Sequence, residues 1–283
     1  MYQVVERTVL NPTVIRLRIE APRVARKAQP GQFIILRVDE AGERIPLTVA
    51  GTNPVAGTVS VIFQIVGATT QALSQVQVGD HILDFVGPLG RATQTEGLSR
   101  VLVIGGGVGC AIALPVAQKL HAEGVQVQGI IGFRSRELVI LEQEFSDCTD
   151  ALSVMTDDGS YGTAGNVTQP LKALLESGEK YDRIFAIGPL VMMKYVVETA
   201  RPYGVPVTVS MNPIMIDGTG MCGGCRLSLL VDGRRVTKFA CVDGPEFDGY
   251  AVDFDEAMSR ARMYGDFERH AYEQSCNLFK GVR

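Results

Sequence analysis

Asp217, Cys222, Cys225 and Cys241 are spaced as D-x4-C-x2-C-x15-C. This is the plant-type 2Fe-2S arrangement C-x4-C-x2-C…C with aspartate in the place of the first cysteine. Such a cluster needs anionic ligands gathered by a short irregular backbone. The run from Met215 to Cys225 carries four glycines, and without Cβ atoms their backbone can wrap a cluster and aim amides at sulfur. Two other chemistries use the same residues. A C-x2-C pair with a distant third cysteine also builds structural zinc sites, although carboxylate ligands are less usual there. Alternatively, Asp217 caps a turn and the thiols are simply buried. Of the remaining cysteines, Cys110 reads as a small helix residue, and Cys148 and Cys276 read as structural. This usage suits a reducing compartment.

A second set of residues suits phosphates and flat rings. Arg44-Ile-Pro-Leu-Thr48 reads as R-x-P-[YFL]-[ST] at the end of a strand. Its guanidinium can pair with a pyrophosphate, and Thr48, two residues past Pro46, can hydrogen-bond a heteroaromatic ring. An exposed strand with a surface arginine reads the same way. Gly67-Ala-Thr-Thr70 offers amides and hydroxyls at a helix start, or a plain threonine N-cap.

Gly105, Gly106, Gly107, Val108 and Gly109 follow a strand and open a helix, so amides and the positive helix end face the place a dinucleotide pyrophosphate would take. Cys110 occupies the last position of G-x-G-x-x-G, and the next strand ends in Arg134 and Arg136 rather than an acid. A standard Rossmann domain is therefore disfavoured. The two arginines fit an adenosine 2′-phosphate or a solvated loop. Asp157 and Asp158, and then Gly188, Pro189 and Met192, lie in turns after strands, at the carboxyl edge where open α/β sheets bind ligands. Each turn also reads as a tight glycine turn and nothing more.

The elements that must position these residues fall into three stretches. Residues 1–97 hold short strands, among them Thr13–Glu20, where Ile15, Leu17 and Ile19 alternate with Arg16, Arg18 and Glu20. Their even spacing predicts a small antiparallel barrel. Residues 98–212 alternate strand and helix, which predicts a parallel sheet with helices on both faces. Residues 213–283 hold the cysteine segment, a hairpin turning at Asp232-Gly233 that brings Cys241 back, and an exposed helix from Asp255 to Gln274.

The 283 residues carry a net charge of −4, with 46% hydrophobic and 20% charged side chains. That balance argues against nucleic acid as a main ligand. No apolar run is long enough for a membrane span, and the start lacks a signal-peptide pattern, so a cytoplasmic protein is expected.

The ordered set of R-x-P-L-T, Gly87-Pro-Leu-Gly90, G-G-G-x-G, T-D-D-G-S-Y-G and I-G-P-x-x-M-M resembles the ferredoxin-NADP reductase superfamily along essentially the whole chain. With the appended cysteine segment it resembles the branch of dihydroorotate dehydrogenase electron-transfer subunits. Aspartate at the first ligand position is similar to the small subunits of NADH-dependent reduced ferredoxin:NADP+ oxidoreductases, which are electron-bifurcating transhydrogenases also called sulfide dehydrogenase subunits.

The resemblance implies an FAD-binding barrel in residues 1–97, an NAD(P)-binding α/β domain in 98–212 and a 2Fe-2S domain with a C-terminal helix in 213–283. Arg44, Pro46, Leu47 and Thr48 would hold FAD, with Ile62, Phe63 and Gln64 lining it and Gly67, Thr69 and Thr70 taking its pyrophosphate. Leu47 stands where an aromatic often stacks on the flavin, and Thr69 replaces a glycine of G-x-G-T. Residues 105–109, Asp157, Asp158, Gly188, Pro189 and Met192 would line the NAD(H) site. Asp217, Cys222, Cys225 and Cys241 would hold the cluster. The partner implied is a large flavoprotein and iron-sulfur subunit in a heterodimer, with ferredoxin and NADP(H) as indirect partners. The cofactors carry the chemistry, so no protein acid or base is assigned, and His81, His121 and His270 have no catalytic duty.

Overall fold

The structure is a computed structural model that describes residues 1–263 and 265. Alternation builds its first sheet. In the strand Val14–Glu20, Leu17 and Ile19 are fully buried while the arginines between them stay half-exposed. The strands in this part are β1 (Tyr2–Asn11), β2 (Val14–Glu20), β3 (Phe33–Arg37), β4 (Ile45–Asn53), β5 (Thr58–Gln64), β6 (His81–Ile82) and β7 (Asp84–Leu89). Two helices accompany them, α1 (Pro22–Ala25) and α2 (Ala68–Gln75). Every neighbouring pair is antiparallel, in the order β6-β1-β2-β5-β4-β3-β7. The two edge strands, β6 and β7, are separated in sequence by Leu83 alone, so the chain itself bridges the opening and the barrel is nearly closed.

The second sheet is built from β8 (Arg100–Gly106), β9 (Gln126–Phe133), β10 (Ala151–Thr156), β11 (Thr163–Ala164), β12 (Arg183–Ile187) and β13 (Val207–Ser210). These strands run parallel where they pair. Their helices are α3 (Cys110–Ala122), α4 (Glu142–Ser146), α5 (Thr168–Glu176) and α6 (Leu190–Ala200). Val101, Val103, Val127 and Phe185 pack with Ala113, Val116 and Phe145 of α3 and α4. Leu102, Ile104, Ile130 and Ile184 pack with Leu171, Met193 and Val196 of α5 and α6. Both faces are thus covered, which is why these strands read as continuous apolar runs. The order β10-β9-β8-β12-β13 is the 3-2-1-4-5 order of a doubly wound Rossmann sheet. The irregular glycine motif had counted against that topology, yet topology is set by packing of the two sheet faces and does not require the fingerprint.

The C-terminal stretch contributes β14 (Arg226–Val231), β15 (Arg234–Phe239), α7 (Ala240–Asp243), β16 (Glu246–Asp248) and α8 (Phe254–Ala261). Asp232 and Gly233, at φ 50° and 72°, both adopt the left-handed backbone that a tight two-residue hairpin demands. β16 joins the second sheet, antiparallel to β13, so the third stretch is sewn into the second. One continuous core holds Phe33 and Ile35 of the barrel, Val207 and Val209 of the sheet, and Cys225, Leu227, Leu229 and Cys241. Helix α8 covers the start of the expected C-terminal helix but is capped at Arg262; residue 264 and those from 266 onward, His270 and Cys276 among them, lie outside the described residues. Among the described residues no helix is long and apolar enough to cross a membrane.

Candidate functional site

The cysteine segment links β13 to β14. Asp217 accepts hydrogen bonds from the Thr219 amide and, at 2.6 Å, from the Cys222 amide. These donors, the Thr219 amide foremost, hold its carboxyl down at about 2. Cys222 is exposed, with the Gly224 amide donating to its Sγ at 3.4 Å. Cys225 and Cys241 are buried with their Sγ atoms 3.2 Å apart. The hairpin makes that meeting: Arg226 and Phe239 are strand partners, and the Ala240 amide donates to the Cys225 carbonyl at 3.1 Å. Burial first, then the adjacent Cys225 thiol, pushes the Cys241 thiol up to about 12.

Among the described residues no three His, Cys, Asp or Glu side chains converge as a closed metal site. Cys225 and Cys241 form a pair, Cys222 lies at the surface, and the Asp217 carboxylate turns to its own loop, as in the turn-cap alternative. The donor chemistry nevertheless fits an iron-sulfur cluster. It comprises three thiols, one ionised carboxylate, and amides that approach sulfur, with Gly224 N at Cys222 and Cys241 N at Cys225, the latter at 3.5 Å.

The cluster segment rests on the barrel. A Cβ on Gly218, whose φ is +75°, would lie 2.7 Å from Leu89 Cδ1 and 3.0 Å from Ile35 Cγ1. Ile35 is in turn the strand partner of Pro46, within the R-x-P-L-T run, and Phe33 is the partner of Thr48. Arg44 precedes β4, half-exposed, with its guanidinium 3.7 Å from Asp84. Thr69 donates to Glu43 at 3.3 Å, which ties the start of α2 to this run.

Two residues of the expected flavin set have other duties. Phe63 is buried in the barrel interior, so only its backbone could face a cofactor. The Thr70 hydroxyl accepts from the Val66 and Gly67 amides at 2.9 and 3.0 Å; the N-cap itself is Gly67, so Thr70 closes the helix start from its third position rather than as the threonine N-cap of the alternative. The amides of Ala68, Thr69 and Thr70 remain the helix-end donors. Ile62 and Gln64 alternate to the side of β5 opposite Phe63.

The two glycine turns, 105–109 and 188–192, meet at the carboxyl edge of β8 and β12, the point where the strand order reverses. A Cβ on Gly109 would lie 2.5 Å from the Ile187 carbonyl oxygen and 2.7 Å from Gly188 Cα; one on Gly106 would lie 2.3 Å from Met192 Sδ and 3.2 Å from Pro189 Cδ. Gly106 and Gly109 therefore face Gly188, Pro189 and Met192 directly, whereas Gly105 backs onto Cys110 and Gly107 borders open space. Asp157 and Asp158 stand one strand further out than β9, exposed, their amides donating to the Phe133 and Arg134 carbonyls. The Asp158 carboxylate is occupied by the Ser160 hydroxyl and amide, at 2.6 and 2.9 Å. Cys110 is fully buried behind the turn, and burial holds its thiol protonated.

Residues 212–253 match the iron-sulfur cluster binding domain of dihydroorotate dehydrogenase B. The chain is 44% identical over 272 residues to the dihydroorotate dehydrogenase B (NAD(+)) electron transfer subunit homolog of Thermotoga maritima, covering 96% of this chain and 94% of that one. It is 31% identical over 248 residues to the dihydroorotate dehydrogenase B (NAD(+)) electron transfer subunit of Desulforamulus reducens, covering 86% and 94%. The chain belongs to the dihydroorotate dehydrogenase B electron-transfer subunit family. Within that family's reach among solved structures is a chain of the NADH-dependent reduced ferredoxin-NADP oxidoreductase described for flavin-based electron bifurcation, with 43% identity, 97% coverage of both chains and a TM-score of 0.90. Nearly closed antiparallel barrel, mixed sheet and iron-sulfur binding domain together are the ferredoxin reductase-like fold.

In this family member, contacts between the barrel exit and the iron-sulfur domain had no sequence signal. Arg91 donates from its amide to the Gly244 carbonyl at 2.7 Å and from Nε to the Val242 carbonyl at 3.0 Å. Thr93 donates its hydroxyl to Glu246 at 2.7 Å. Both lie in an unpatterned loop and act on partners about 150 residues away, a separation that periodicity cannot register.

Proposed function

We propose that this chain relays electrons between NAD(H), FAD and a 2Fe-2S cluster, to or from a large flavoprotein and iron-sulfur subunit with which it forms a heterodimer. The proposed setting is flavin-based electron bifurcation coupling NADH, NADPH and ferredoxin. The observation that carries it is the stacking of Gly218 on Ile35, the strand partner of Pro46. One barrel strand thus separates the ligand loop from the flavin motif, a gap on the order of 10 Å at about 5 Å per strand.

When bound, the flavin would exchange a hydride with the nicotinamide and single electrons with the cluster. The chain's own residues position and exclude. Arg44 would exchange its distant Asp84 partner for a phosphate, and the first amides of α2 would take the pyrophosphate. Thr48 would bond the ring edge. The glycines at the β8 and β12 edge leave room for a second pyrophosphate against bare backbone, and Asp157 and Asp158 would meet its nucleoside. Asp217, Cys222, Cys225 and Cys241 would hold the iron, in a protein of the cytoplasm.

The match of residues 212–253 to the dihydroorotate dehydrogenase B domain favours a second reading, service to a dihydroorotate dehydrogenase catalytic subunit. A partner-binding module with structural zinc is the alternative of another class. Anaerobic purification with absorbance, metal analysis and reduction by NADH or NADPH tests them together. Yellow-brown protein with about two irons per chain, bleached by NADH and co-purifying with a flavoprotein active on ferredoxin, is expected. A pyrimidine-pathway partner would establish the second reading, and colourless zinc protein the third.

A further inference from the structure

We infer that Arg226 and Arg260 are positioning residues that clamp the Cys222–Cys225 loop from behind and raise the reduction potential of the cluster it would hold. The inference rests on the cluster reading above. Arg226, the first residue of β14, donates from Nη1 to the Gly223 carbonyl at 3.3 Å. Arg260, near the end of α8, donates from Nη2 to the Gly224 carbonyl at 3.4 Å. Two guanidiniums from separate elements therefore hold the two consecutive carbonyls between Cys222 and Cys225.

Peptide planarity gives the contact its consequence. In a trans peptide the carbonyl and the following N–H point in opposite directions. The group joining Gly223 to Gly224 presents its oxygen to Arg226 and its N–H to Cys222 Sγ, at 3.4 Å. Arg226 thus reaches the sulfur through one peptide. The group joining Gly224 to Cys225 has its oxygen on Arg260, so its N–H points away from that arginine. A guanidinium keeps its charge at any ordinary pH, and a charged donor on the oxygen polarises the whole peptide and strengthens its N–H as a donor.

Among the described residues neither arginine is paired with a carboxylate, whereas Arg235 on the same hairpin is spent on Asp253 and Glu256. Cluster reduction adds one electron, delivered by the flavin, and transfers no atom. The added negative charge is stabilised by amide donors on sulfur and by nearby cations, and both effects raise the potential.

The test is an EPR-monitored redox titration of the full-length, iron-loaded chain, with iron counted in every sample, for wild type, Arg226→Gln, Arg260→Gln, the double glutamine variant and the two lysine variants. Glutamine should lower the midpoint potential at each position and further in the double variant, at unchanged iron content, while lysine keeps most of the wild-type value. Loaded glutamine variants at the wild-type potential would overturn the clamp. So would lysine variants that fall as far as glutamine, since shape rather than charge would then be at work. Should glutamine cost the iron, the lysine variants decide alone: wild-type potential supports the clamp, and a lowered one overturns it. Wild-type protein without iron would instead refute the cluster reading.

Discussion

Asp217 shows how one side chain can be legible in type and still be underdetermined in role. Its place in the D-x4-C-x2-C spacing makes it a proposed ligand, while its contacts with the Thr219 and Cys222 amides make it the cap of its own loop. Because its carboxyl is depressed to about 2, the cap is fully present above the ordinary aspartate value near 4 and is lost as the pH falls toward 2. Protection of the Cys222 and Thr219 amides from hydrogen exchange in iron-free protein should therefore be constant from pH 8 to about 4 and collapse below. Asp217→Ala removes both the proposed ligand and the cap and should lower iron per chain, measured after anaerobic gel filtration, whereas Asp217→Cys should retain it. The Phe63 side chain is spent on the barrel interior for a reason alternation could have revealed: Val59, Val61 and Phe63 share the inward face of β5. The internal use of Thr70 is a matter of rotamer, which sequence does not display. Gly109 was legible only as part of a phosphate turn. A methyl group there meets backbone atoms at 2.5 and 2.7 Å, which cannot rotate away. Gly109→Ala should cost about 1–3 kcal/mol in chemical denaturation and weaken NADH binding more than FAD binding.

At the scale of elements, the strands and helices with strong periods were readable, and so was the hairpin, because Asp-Gly at positive φ is a local signal. The strand β16 was not. Glu246, Phe247 and Asp248 carry no pattern of their own and become a strand only because β13 offers an open edge. Tertiary context also sets the charge of Glu246, whose carboxyl burial lifts to about 7 against the opposing pull of Thr93 and Arg183. A folded value above the unfolded one near 4.5 means that the folded state binds the extra proton. The associated stability is complete below about 4.5 and lost as the pH rises through 7. Glu246→Gln should consequently change little at pH 5 and stabilise by up to about 2 kcal/mol at pH 8, read from denaturant midpoints at the two pH values.

For the whole molecule, the three stretches were visible as changes of texture along the chain, but their union was hidden. Phe33 and Ile35 of the barrel share a core with Cys225, Leu227 and Cys241, and Val207 and Val209 join them. A calorimetric scan should accordingly show one cooperative transition, and removal of iron by a chelator should lower its midpoint as a whole rather than release a separate low-temperature step. The edge strand also bears on how such proteins can be taken apart. A chain cut after residue 212 keeps every residue of the parallel sheet but loses β16, leaving the hydrogen-bonding groups of β13 bare to other molecules. The iron-sulfur segment is for that reason a poor cassette: moved to another reductase it arrives without its sheet, and the donor it leaves behind is primed to aggregate.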